Sequence, residues 1–310
     1  MSDLKSLPKD EYGIADNDRY IFLSVDEQTR LFPEFSAATP WNHFGRKNVG
    51  YLFAIRAGAE HIWDFDDDNL GIIDLPEILS SHMVTPCEEM TLVNPYMYFG
   101  VNETISWPRG FPLNKIQEET TWKFPTCNSD VKEDKIGVIQ SLANNEPDVD
   151  GIYRLTRKTP FNFLSAAKEP LILPPGAYAP FNGQATMWFK SAFLFLFLPT
   201  TVHGRVSDIW RSYIAEHFFA ELDLRVIFTK PFVRQDRNPH EFLGDFESEH
   251  DLYLKAPGLL DFLTGYEATE SGLSLPLTVL HVFIELYERD ILSEEDIFLF
   301  AMWLKLIDSS

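Results

Sequence analysis

The chain has 310 residues, 45% of them apolar and 24% charged, as in folded soluble domains rather than disordered chains. Its 47 acids outweigh 26 bases, giving a net charge of −21. Such a surface repels phosphate backbones and anionic membranes, which argues against a nucleic-acid partner and requires a local cation wherever an anionic nucleotide binds.

Residues 1–18 are polar, carry no secretory signal and read as a flexible leader. Tyr20 to Ser24 reads as a short strand, and Val25 to Gln28 as the start of a helical turn. Trp41 to Gly58 reads as an amphipathic helix burying Phe44, Val49, Leu52, Phe53 and Ile55, with Gly58 placed to end it. Glu60 to Phe65 follows as a strand. Asp64, Asp66, Asp67 and Asp68 lie at its C-terminal end, where ligands bind in α/β sheets.

Prolines at 76, 86, 95, 108, 112 and 125 mark residues 70–135 as short strands and long loops. Ile136 to Ala143 is predicted helical and Gly151 to Thr156 a strand. Trp188 to Leu198 reads as a strand or a helix–strand pair. Its apolar run, Ala192 to Leu198 (AFLFLFL), reads as a buried strand stopped by Pro199. That run is far short of the roughly 20 residues of a membrane helix. Val206 to Leu222 has a clear helical period, and Leu224 to Thr229 reads as a strand. Leu273 to Arg289 and Glu294 to Ile307 form a helical C-terminal segment. The expected organisation is a leader at 1–18, a catalytic domain at 19–260 and a helical segment at 261–310.

The two cysteines, Cys87 and Cys127, form no CxxC, so a structural zinc site is not expected. One disulfide is compatible with the count but not required. The expectation is free thiols in a reducing, cytoplasmic setting.

The run HIWDFDDDN is the strongest chemical signal. Its crowded carboxylates repel one another unless a hard divalent cation neutralises them, and that cation could bridge to a diphosphate. The plain alternative is a solvated acidic loop. Arg46 and Lys47 open the predicted helix and could reach diphosphate oxygens, unless they only line a solvated face. In Gly204-Arg205-Val206-Ser207-Asp208, the aspartate at a helix start could act as a general base on an acceptor hydroxyl, or simply serve the helix dipole. His240 is a candidate late metal ligand or a surface histidine. Trp107-Pro108-Arg109-Gly110 and Pro147-Asp148-Val149-Asp150 mark structured turns whose polar groups suit binding. No GxSxG, P-loop, GxGxxG or HRD-type pattern occurs, which weighs against a serine hydrolase, a P-loop NTPase and a Rossmann dehydrogenase.

RKNVGYLFAIRAGAEHIWDFDDDN resembles the core signature of the STELLO family of glycosyltransferases. The resemblance runs collinearly from about residue 20 to 307 through VNPYMYFG, SWPRGFPL, PDVDGIYRLTRKT, SAFLFLFLP and VSDIWRSY. A more distant similarity is to the reversibly glycosylated polypeptides, which act as UDP-arabinopyranose mutases. It rests on Asp66-Asp67-Asp68, on Arg109-Gly110-Phe111-Pro112, and on Gly204-Arg205 with Asp208 and Trp210.

The resemblance implies a GT-A-like nucleotide-diphospho-sugar transferase sandwich, α/β with a mixed central sheet and C-terminal helices. It implies a UDP-sugar donor and Mn²⁺ or Mg²⁺ as cofactor. By position, Asp66, Asp67 and Asp68 would hold metal and donor. Arg46, Lys47, Arg109, Asp148 and Asp150 would line the donor site, Asp208 would be the catalytic base, and His240 a further metal ligand. Family members carry an additional first strand ending in a VVVGD-like turn that helps hold the nucleotide base. This chain enters the pattern after it, so the expectation is a base pocket built differently or a weakened donor site. STELLO proteins are Golgi-anchored and this chain shows no anchor, so that location is not carried over. The expected activity is transfer of a hexosyl or pentosyl unit from a UDP-sugar to a glycan or protein acceptor. The alternatives are a UDP-sugar mutase or a catalytically silent interaction protein of the same fold.

Overall fold

The computed structural model describes residues 4, 21–100, 105–164, 168–236, 241–267 and 272–308. The strands are β1 His61–Phe65, β2 Asn69–Gly71, β3 Met83–Pro86, β4 Thr126–Ser129, β5 Ile136–Asn145, β6 Leu171–Ile172, β7 Ala185–Phe189 and β8 Arg225–Gln235. The helices are α1 Val25–Leu31, α2 Pro33–Ala38, α3 Lys47–Arg56, α4 Leu75–Ser80, α5 Pro95–Phe99, α6 Gly151–Thr156, α7 Gly204–Glu221, α8 Phe242–Ser248, α9 His250–Gly265, α10 Leu275–Glu288 and α11 Glu294–Asp308. The expectations for the leader, Leu4 apart, and for His240 lie outside the described residues.

The chain divides into two compact units. One comprises His61–Phe195 and Asp208–Glu267 and, among the described residues, holds eight strands in one mixed sheet, ordered β1-β7-β5-β8-β6-β3-β4, with β2 on β8. The pairs β5·β8 and β3·β6 are parallel, and the others antiparallel. The expected mixed α/β architecture with C-terminal helices is therefore present.

Four segments adopt a different state from the predicted one. Ile136–Asn145 is strand β5, not a helix, and its first eight residues are all buried. Burial on both faces erases the alternation that marks a strand, while Ile136, Val138 and Ile139 favour extended backbone. A Cβ on Gly137 would lie 2.7 Å from the Phe219 ring, so glycine lets α7 approach β5 closely. Gly151–Thr156 is helix α6, because Asp150 Oδ1 caps it by accepting from Tyr153 N at 2.7 Å. Lys190–Leu196 is a 3-10 helix after β7, not a strand, and Phe195 packs its ring on Phe218 and Phe219. Residues 21–24 also hold no strand, and α1 starts at Val25 with a full capping box from Ser24 and Glu27.

The thiols are not free: Cys87 and Cys127 form a disulfide. Pairing of β3 with β4 brings them together, with Thr85 opposite Cys127 and Cys87 N donating to Pro125 O at 2.9 Å. The expected free thiols are therefore replaced by one bond across the β3–β4 pair.

The other unit comprises Met1–Glu60, Leu196–Ser207 and Ala268–Ser310, so α10 and α11 group with α1 to α3. Phe197 packs against Phe283, Phe300 and Trp303. The buried Asp296 carboxylate accepts from the backbone N–H and hydroxyl of both Thr200 and Thr201. No helix among the described residues is long and apolar enough to cross a membrane.

Candidate functional site

Strand register gathers four chain segments at one end of the sheet. The parallel strands β5 and β8 finish side by side, Asn145 opposite Gln235. Strand β1 runs antiparallel to β7, so Phe65 ends opposite Ala185. The acidic turn after β1, the segment 182–184 before β7, and the ends of β5 and β8 therefore converge.

The turn is pinned by its backbone. Asp66 N donates to Gln184 O at 3.2 Å, Asn69 N to Asp66 O at 3.2 Å, and Asp236 N to Asp68 O at 3.1 Å. Asp68 Oδ1 accepts from Gln235 Nε2 at 3.0 Å. Asp67 is exposed and Asp68 half-buried. Among the described residues neither forms an ion pair. Asp64 differs: it is 3% exposed, and its Oδ2 accepts from Arg211 Nη2 at 2.9 Å. Arg211 in turn lies 4.9 Å from the Trp188 ring. Asp64 is thus neutralised from within.

Arg109, Asp148 and Asp208 form a second, buried centre. Arg109 Nε and Nη2 donate to Asp148, while Nη1 and Nη2 donate to Asp208 Oδ1 and Oδ2 at 3.0 and 2.8 Å. Gly183 N donates to Asp208 Oδ2 at 3.0 Å, and Asn182 Nδ2 to Asp148 Oδ2 at 2.8 Å. Burial works to lower the Arg109 pKa, but the pull of Asp148 and Asp208 outweighs it, and the guanidinium stays charged. Asp150 is buried as well, capping α6 and accepting from Trp107 Nε1 at 2.6 Å. The two turns expected to offer polar groups for binding have folded Arg109, Asp148 and Asp150 inward. Asp208, expected as a base, has both carboxylate oxygens engaged and is 3% exposed.

Arg46 does not face solvent either. At 2% exposure it donates to Gln28 Oε1, the Ser36 and Thr39 carbonyls and Ser36 Oγ, and stacks 3.4 Å from the Trp41 ring. Its donors tie the start of α3 to α1 and to the C-terminal end of α2, which accounts for its burial without a ligand. Lys47 is half-buried, with Nζ 4.6 Å from the Phe44 ring.

The model of the STELLO glycosyltransferases matches residues 205–309. Two relatives from Arabidopsis thaliana, "Probable glycosyltransferase STELLO2" and "Probable glycosyltransferase STELLO1", are each 32% identical over 92% of this chain. The chain is STELLO-like. It spans 38% of the length of each of these relatives.

The geometry narrows the cation candidates. Among the described residues, no three His, Cys, Asp or Glu side chains gather into a ready-made metal cage. Asp67 and Asp68 nonetheless fit a hard divalent cation in kind, because Mg²⁺-type ions are commonly held by one or two carboxylates with substrate phosphates and water completing the shell. Asn182, Gln184 and Gln235, which tie this end of the sheet together, carry no sequence signal. They are neutral amides at strand ends, remote in sequence from the aspartates they serve.

Proposed function

We propose that the chain is a glycosyltransferase core whose donor site is the acidic turn. In this reading Asp67 and Asp68 hold Mn²⁺ or Mg²⁺, the cation carries the diphosphate of a UDP-sugar, and the sugar passes to a glycan or glycoprotein acceptor. The observation that carries it is the division among the carboxylates. Asp64, Asp148 and Asp208 are buried against arginines, whereas Asp67 and Asp68 form no ion pair among the described residues and lie at the end of the sheet where α/β folds commonly take ligands. When bound, the cation would act as a Lewis acid toward the leaving nucleoside diphosphate. The chain's residues would hold that ion and fix the turn, with Arg109 keeping in place the two carboxylates that accept from Asn182 and Gly183. Asp208 enters this reading as a partner of Arg109 and not as the base.

A screen of UDP-sugars with Mn²⁺, scored for hydrolysis and transfer, together with UDP calorimetry, tests it. Turnover or metal-dependent UDP binding that Asp67→Ala abolishes is expected. Absence of both with every donor would overturn it. The burial of Asp208 favours one alternative, a silent interaction protein of the same fold, and this alternative predicts that Asp67→Ala leaves biological activity intact.

A further inference from the structure

The acidic turn is held through an amide relay. Gln235 Nε2 donates to Asp68 Oδ1 at 3.0 Å. Gln235 Oε1 accepts from Gln184 Nε2, and Gln184 N donates to Asn182 Oδ1 at 2.9 Å. Asn182 Nδ2 reaches Asp148 Oδ2, and Asp148 is held by Arg109. Gln184 O also accepts from Asp66 N and from Asn69 Nδ2. Gln184 and Gln235 are 5% and 2% exposed, so their side chains are locked.

The chemistry of the relay matters. A lysine or arginine in place of Gln235 would neutralise Asp68, as Arg211 neutralises Asp64. An amide N–H fixes one carboxylate oxygen while leaving the net charge and the second oxygen for a ligand. Outer partners of this kind orient metal-binding carboxylates. We infer that Gln235, itself oriented by Gln184, is a positioning residue that aims the Asp68 carboxylate at a divalent cation and its diphosphate. The inference rests on the donor-site reading above.

The test uses the 310-residue chain. Mn²⁺ binding is followed by the loss of the free-ion electron paramagnetic resonance signal, with and without UDP, beside metal-free thermal unfolding. Gln235→Met removes the donor at similar size and is expected to weaken Mn²⁺ binding by about 10- to 100-fold. The metal-free Tm should stay close to that of the parent chain. Gln184→Met acts through Gln235, so its effect should be smaller, and the double variant should lose less than the product of the two. If Gln235→Met does not fold, Gln184→Met carries the same reading. Parent-like Mn²⁺ affinity in a folded variant overturns the inference while the donor site stands. A parent chain that takes up neither Mn²⁺ nor UDP overturns the donor-site reading, and this inference with it.

Discussion

Replacing Arg109 by Met should destabilise the sheet-bearing unit severely. The guanidinium is buried and serves two carboxylates, Asp148 and Asp208, each 3% exposed. Breaking a buried pair from one side typically costs 3–5 kcal/mol, because the remaining charge is left uncompensated. Here one substitution strands two like charges close together, so at least about 4 kcal/mol is expected. That is a large share of the roughly 5–15 kcal/mol that keeps a domain folded. Urea unfolding followed by tryptophan fluorescence measures it, since Trp107 lies two residues away and is itself buried. The decisive comparison is the triple variant Arg109→Met, Asp148→Asn, Asp208→Asn. If stranded charge is the cause, the triple variant regains much of the loss. Arg109→Lys should fall between, keeping charge but losing the fork. An Arg109→Met chain as stable as the parent, or a triple variant no better than the single, refutes the reasoning.

Non-reducing peptide mapping should show Cys87 joined to Cys127. Replacing both by Ser should cost up to about 4 kcal/mol on loop-closure grounds for the separation of 40 residues; free thiols in the native protein would contradict it. Burial lowers the His217 pKa to about 4 from 6.5, so the folded chain disfavours the charged ring. His217 therefore contributes stability that is present above pH 6.5 and lost as pH falls towards 4, up to about 3 kcal/mol in all. Neighbouring Glu216, pushed up by burial, works in the opposite sense. The parent is therefore compared with His217→Asn, and equal pH slopes in the two would exclude the effect. Gly137→Ala drives a methyl into the Phe219 ring and should cost about 1–3 kcal/mol, an expectation that an unchanged unfolding midpoint would refute.

What the sequence discloses here depends on how local the cause is. Strand β1 and its acidic turn, α7, β8, α10 and α11 were legible because each declares itself within its own window. Strand β5 was not, because sheet neighbours cover both its faces and Gly137 answers to Phe219 on α7. Helix α6 turns on one cap, Asp150, in a stretch that otherwise reads as extended. The proposed donor site divides in the same way. The acidic run was visible, but Asp64 is neutralised by Arg211, 147 positions away, and Asp208 by Arg109, 99 positions away. Spacing along the chain cannot separate a carboxylate that keeps its charge from one claimed by a distant arginine. Arg46 shows the converse, a cation at a helix start that internal carbonyls have taken up.

Strand β4 closes one side of the sheet and is only four residues long. Its outer rim offers backbone groups that another chain's strand could seek out, and short edge strands limit that hazard. The Cys87–Cys127 bond fastens β4 to β3 as well, so the rim cannot peel away and swap into a neighbouring molecule. Reduction would remove that fastening and leave strand pairing to hold β4 on β3.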